Sequence, residues 1–188
     1  MELKSEHKIN APREEVFAAL NNPEILRQCI PGCESLDKAS DTEMSATVAL
    51  KIGPVKARFK GQVELSNLVP PESYSISGEG TAGAAGFAKG GADVKLVEDG
   101  TGTLLQYEVK ADVGGRLAQL GGRLIDSTAR TLSGKFFTRF GELVEGGEPA
   151  VAPAAQAEAT PTGGMAWIWI GAGLAALIAV AAVIASNS

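Results

Sequence analysis

The sequence predicts an α+β domain, a curved antiparallel sheet closed by one long C-terminal helix, followed by a single transmembrane helix. Three observations carry this. Between residues 44 and 113 several segments alternate apolar with polar side chains, the period of a half-buried strand. From about residue 116 the period becomes that of an amphipathic helix. Finally, Ala166–Ala185 reads AWIWIGAGLAALIAVAAVIA, with no charged residue.

The elements follow in order. Met1 to Asn10 alternates and reads as a strand. Pro12 suits the first turn of a helix, and EEVFAAL places Val16, Phe17 and Leu20 on one face. Asn21 and Asn22 end it, Pro23 opens a second short helix reaching Cys29, and Pro31-Gly32 makes a turn. Met44, Ala46, Val48, Leu50 and Ile52 then alternate, and Gly53-Pro54 turns the chain. Val55, Ala57, Phe59, Val63 and Leu65 alternate with charged or polar residues. Tyr74 with Ile76, Ala92 to Leu96, and Leu105 to Val113 give three more strands, with Asp99-Gly100 as a hairpin signal. Short turns between half-buried strands make the sheet antiparallel. After Gly114-Gly115, residues Leu117, Leu120, Leu124, Thr128, Leu132, Phe136 and Leu143 share a face, predicting a helix of roughly 28 residues that ends near Val144. Sheet face and helix face can bury each other.

Beyond the domain (1–145), residues 146–164 read GGEPAVAPAAQAEATPTGG, a Pro/Ala/Gly linker. As a flexible coil it spans about 25 Å. The apolar run within 165–188 covers roughly 30 Å as a helix, the thickness of a hydrocarbon core. Trp167 and Trp169 stand at its start, where indoles favour the headgroup level. All 17 Lys and Arg lie at or before Arg139. That distribution predicts a single-pass C-terminal anchor in the cell membrane with the domain on the cytoplasmic side. The N-terminus has no apolar stretch of the signal-peptide kind, so insertion is expected to follow synthesis.

The formal net charge of −5 argues against nucleic acid as a partner, since no broad basic excess is present to neutralise phosphates. Cys29 and Cys33 are the only cysteines, spaced C-x3-C, and His7 is the sole histidine. Two thiols without a second ligand pair make a poor metal site, and no Ser/His, Cys/His or paired-carboxylate arrangement is evident. The sequence therefore predicts a non-enzyme with no catalytic residues, no metal and no covalently bound cofactor. Gly78, Gly80 and Gly83 formally spell G-x-G-x-x-G, but the next strand begins near Gly91. That interval is too short for the helical crossover of a dinucleotide fold. The segment reads as a mobile hairpin loop with Phe87 as its one large apolar residue, either a lid or a plain glycine-rich hairpin.

The order of elements resembles the helix-grip fold of the START/Bet v 1-like (SRPBCC) superfamily. Within it, NNPEILRQCIPGCESL at 21–36, KIGPVKARFKGQVEL at 51–65 and GGRLAQLGGRLIDSTARTLSGKFFTRF at 114–140 resemble the CoxG family, named for the G-type subunit of carbon monoxide dehydrogenase. The resemblance implies an accessory role beside a carbon monoxide dehydrogenase-like molybdenum hydroxylase. It also implies an apolar ligand held between sheet and long helix. With a membrane anchor, the expected ligand is a membrane lipid or a quinone (menaquinone or ubiquinone).

On that fold the inward face is expected to be lined by Leu26, Ile30, Phe59, Tyr74, Phe87, Tyr107, Leu117, Leu120 and Leu124. The hydroxyls of Tyr74 and Tyr107 can bond a quinone carbonyl. The same residues also suit an ordinary packed core. Small residues at Ala46, Ala57, Gly61, Gly78, Gly80, Ala92 and Ala111 leave volume that the helix or a ligand must fill. Lys56, Arg58 and Lys60 point outward from one strand, towards anionic headgroups, an acidic partner or plain solvent. Arg116, Arg123 and Arg130 read as a solvated helix face, with Asp126 spaced to pair with the last two. Two functions remain open at this level: a carrier of an apolar ligand, and a recruitment adaptor whose cavity is not used.

Overall fold

The computed structural model describes residues 2–146; the expected linker beyond Gly146 and the expected membrane anchor lie outside them. Among the described residues no helix is long and apolar enough to cross a membrane.

The chain opens with β1 (Glu2–Ile9), followed by the short helices α1 (Arg13–Leu20) and α2 (Pro23–Cys29). Pro23 occupies the first turn of α2, and the Asn22 side chain accepts a bond from the Glu24 backbone N–H at 2.9 Å. Six strands then run as a meander: β2 (Cys33–Lys38), β3 (Glu43–Ile52), β4 (Val55–Val69), β5 (Ser73–Thr81), β6 (Phe87–Asp99) and β7 (Gly102–Gly114). β1 returns beside β7, giving an antiparallel sheet ordered β1-β7-β6-β5-β4-β3-β2. The two sheet edges, β1 and β2, are therefore consecutive strands bridged by α1 and α2. A 3₁₀ turn (Ala118–Leu120) leads into α3 (Gly122–Glu145).

Strand alternation sorts the side chains. Met44, Ala46, Val48, Leu50 and Ile52 of β3 are all buried, while Lys51 is exposed. α3 completes the inner layer with Ile125, Ala129, Phe136, Phe137 and Phe140 buried. Spacings of three and four along this stripe give a helix one wet and one dry side. Its C-terminal end is fastened by Glu145, whose carboxylate accepts from the Asn10 backbone N–H (2.9 Å) and from Asn10 Nδ2 (3.2 Å). At its N-terminal end Leu124 lies over Gly53, where an added Cβ would stand 2.7 Å from a Leu124 methyl.

The molecule thus has two ends. One gathers α1, the hairpin turns after β4 and β6, and the end of α3. There Arg13 reaches Glu72 (3.8 Å) and Glu98 (3.0 Å). The other gathers the turns after β3 and β5 and the connection into α3, where the Leu117 N–H bonds the Ala85 carbonyl at 3.0 Å.

Four expectations are corrected. The segment Cys33–Lys38, to which the sequence reading gives no element, forms a seventh strand; it is an edge strand with a register shift and little alternation to betray it. The long helix begins at Gly122 and has 24 residues, because Gly121 takes φ 87° and stops the preceding turn from joining it. Its buried stripe runs through Ile125 and Ala129, one position round from Leu124 and Thr128, which are half-buried. Finally, the glycine-rich stretch 78–91 is mostly strand. β5 continues to Thr81 and β6 begins at Phe87, leaving only 82–86 as the turn.

Candidate functional site

The interior between sheet and α3 is aromatic on one side. Leu3, Ser5, His7 and Ile9 face it from β1. The His7 ring stacks on Phe137 with centroids 3.9 Å apart and lies parallel to Tyr107 at 5.9 Å. Phe137 also stacks on Tyr107 and meets Phe136 edge-on. Burial lowers the His7 pKa, and its Nε2 has no hydrogen-bond partner among the described residues. A ring that avoids charge, packed between aromatics, is a core residue rather than a base aligned on a nucleophile.

Tyr107 and Tyr74 share one cross-strand row. Tyr107 pairs with Val94, and Val94 pairs with Tyr74, so the two tyrosines project from the inner face about 10 Å apart. Their hydroxyls differ. Tyr107 shares a hydrogen bond with Ser133 of α3. Tyr74 is 1% exposed, sits edge-on to Phe17 of α1, and its hydroxyl has no partner among the described residues. Burial raises its pKa, so it stays a neutral O–H donor. Leaving such a group unpaired costs about 1–3 kcal/mol.

Six of the nine expected lining residues meet in the core: Leu26, Ile30, Phe59, Tyr74, Tyr107 and Leu117. Leu120 packs against that core half-buried, and Leu124 is half-buried over Gly53. Phe87 does not join them. It is 52% exposed on the outer face, where its ring covers Gly114, its register partner; a Cβ there would meet the ring at 2.4 Å. Alternation along β6 decides this, because Ala88, Ala92, Val94 and Leu96 take the inner positions. Phe87 is therefore neither an inward lining residue nor the tip of a lid. His7 and Ser133 are inner residues absent from the expected set, although the alternation of β1 already puts His7 in phase with Leu3 and Ile9.

A second feature opens at the other end of the molecule. β4 pairs with β5 only from Lys60 onward, so Val55–Phe59 has β3 as its one strand neighbour. The resulting notch, about 1010 Å³, is lined by both faces of β4, by Thr81–Ala85, and by Arg116, Gln119 and Leu120. Because Val55 and Ala57 come from one face and Lys56, Arg58 and Lys60 from the other, it cuts past the sheet rather than resting on it. Small residues, Ala57, Ala82, Ala84 and Ala85, keep it open.

The cysteines belong to neither feature chemically. Both are free; burial pushes the Cys29 thiol up to about 11 and raises Cys33 as well. Neither is a ready thiolate. Among the described residues no group of His, Cys, Asp and Glu could hold a metal ion. Gly32 between them has φ 76°, and a Cβ there would lie 2.2 Å from the Ala49 carbonyl oxygen. The segment is a close crossing of backbone onto β3.

The family model of CoxG, the G-type subunit of carbon monoxide dehydrogenase, matches residues 6–144. The chain belongs to that family. The match takes in the whole CoxG-type sheet except the first residues of β1, and all but the last residue of α3. A conserved protein from Geobacillus kaustophilus is 27% identical, with a TM-score of 0.73 over 78% of this chain and 96% of that one. TTHA0849 from Thermus thermophilus (17% identity, TM-score 0.59, 78% and 98% covered) shares the fold. So does Ara h 8.0201, a Bet v 1-like protein (14%, 0.57, 78% and 99%). No curated protein sequence matches the chain.

Proposed function

We propose that this chain is a membrane-tethered, non-catalytic accessory protein that binds an apolar ligand, a quinone or a lipid, between its sheet and α3. In this reading it couples a carbon monoxide dehydrogenase-like molybdenum hydroxylase to the membrane quinone pool. The family match supports the accessory role and the partner. The fold supports an apolar ligand.

The observation that carries the reading is the Tyr74 hydroxyl. It is a neutral donor, buried, and without a partner among the described residues. A quinone carbonyl is an acceptor on an otherwise apolar ring, and would accept that hydrogen while burying its ring against Phe17 and Val94. The chain's own residues thus bind, orient and exclude water; no bond is made or broken on them. Tethering by Ala166–Ala185 would keep the domain where such ligands dissolve.

A recruitment adaptor that uses only its surface is the second reading. It is supported by how fully Leu26, Phe59 and Leu117 are buried among their neighbours. Native mass spectrometry of the full chain after gentle extraction tests the two. The carrier should fly with an apolar ligand of defined mass and bind a quinone analogue. Ala92→Leu, which fills the inner face beside Ile76, should abolish both and leave membrane recruitment of the enzyme intact. A ligand-free protein that binds no analogue would leave only the adaptor.

A further inference from the structure

We infer that the basic notch beside β4 is the face by which the domain lies against an anionic phospholipid surface. The inference rests on the proposed membrane carrier only for the presence of a bilayer.

The notch concentrates positive charge on a chain of formal net charge −5. Lys56, Arg58, Lys60 and Arg116 line it, and no acidic residue does. Arg58 is held by Glu34, with contacts of 2.7 and 2.9 Å. Lys56, Lys60 and Arg116 are exposed and have no ion pair among the described residues. Lys51 stands opposite Lys56 in the register of β3 and β4, and Arg123 is exposed in the first turn of α3. The pairing expected between Arg123 and Asp126 is not among the ion pairs of the described residues, so that cation too is uncommitted. The start of α3 adds to the field: it has no side-chain cap and no acidic residue in its first turn.

Charges disposed in this way suit a lipid surface better than an acidic protein. They ring a centre of small apolar side chains, Val55, Ala82 and Ala84, and the three cations Lys56, Arg58 and Lys60 flank the open backbone edge of β4 against strand-wise pairing. Lipid headgroups need no such pairing. Ala57, half-buried and on the inner-face phase of β4, is among the notch's lining, so docking here would bring that edge of the inner face to the bilayer. Geometry permits it. The chain leaves α3 at the far end of the domain, and 24 helical residues rise about 36 Å. Residues 147–164 can stretch to roughly 60 Å, enough to pass back along the domain to the membrane.

The test uses the full chain with Cys29→Ser, Cys33→Ser and Ala84→Cys, carrying an environment-sensitive dye at position 84. It is mixed with vesicles of phosphatidylcholine alone, or of phosphatidylcholine with one third phosphatidylglycerol. Because Ala84 is exposed beside the notch, the dye reports docking of this face and not insertion of the tail. Its emission should shift blue on the anionic vesicles only. The shift should vanish in about 0.5 M salt, where screening acts within a few ångström. Reversing the charges in K56E/K60E/R116E should weaken it at least about a hundred-fold, since each cation near an anionic leaflet contributes about five-fold. With the unlabelled natural chain, tryptic cleavage after Arg116 should slow at least tenfold on the same vesicles. Equal signals on both lipids, indifference to charge reversal, or protection that appears only with an acidic protein partner would overturn the inference. Native mass spectrometry on the same sample separates the two claims. Docking without a ligand sinks the carrier alone, and a ligand without docking sinks only the lipid face.

Discussion

Tyr74 and Tyr107 project from one cross-strand row with Val94 between them, and only Tyr107 has its hydroxyl paired, to Ser133. Among the described residues this tyrosine pair therefore has one satisfied hydroxyl and one without a partner. Tyr74→Phe should raise the stability of the ligand-free domain by about 1 kcal/mol, because it deletes an unpaired buried hydroxyl. It should also weaken binding of a quinone analogue about ten-fold. Urea unfolding and a ligand titration on the same variant check both; a loss of stability with unchanged affinity would contradict them.

Tyr107→Phe should act in the opposite sense. It strands the half-buried Ser133 hydroxyl and should cost about 1 kcal/mol. Adding Ser133→Ala should recover part of that cost, and a double-mutant cycle measures the coupling directly.

His7 sets a pH dependence. Its folded pKa lies below the ordinary 6.5 because burial disfavours the imidazolium. The unfolded chain then binds more protons than the folded one in the interval between the two values. Stability is full above about pH 6.5 and declines as pH falls towards the lower folded value. Glu108, whose carboxyl is held below its usual range by the hydrogen bond from Lys4 at 2.8 Å, acts only nearer pH 4 and below. Urea midpoints at pH 7.5 and 5.5 should differ for the natural chain and converge for His7→Phe.

Gly32→Ala should be the most damaging of these small changes. The new methyl would sit 2.2 Å from the Ala49 oxygen, and φ 76° is strained for any side chain. The obstacle is backbone, so no rotamer relieves it. A loss of more than about 2 kcal/mol is expected, read as a drop in melting temperature of several degrees.

The strands, the two short helices and the long helix are legible in the sequence wherever one face is wet and the other dry. β2 is not, because Glu34, Ser35 and Asp37 surround a single Leu36 and the strand lies at a sheet edge. The start of α3 is hidden because Leu117 and Leu120 fit helical spacing, while the left-handed backbone at Gly121 leaves no mark on hydrophobic periodicity. Within the interior, Phe59, Tyr74 and Tyr107 follow from strand alternation, whereas Leu26 lies on the short helix α2 and does not. Phe87 misleads because apolarity does not say which face a residue takes; its partner there is a glycine whose bare backbone the ring shields. Which tyrosine finds a partner depends on where α3 sets Ser133, a tertiary distance that no local pattern encodes.

Where β4 outruns β5, Val55–Phe59 presents an unfinished strand edge, the kind of surface that templates pairing between molecules. Three cations within the five residues from Lys56 to Lys60 guard it. A second copy approaching in register would bring like charges together, so the feature that admits a lipid surface also discourages the domain from growing sheets with itself.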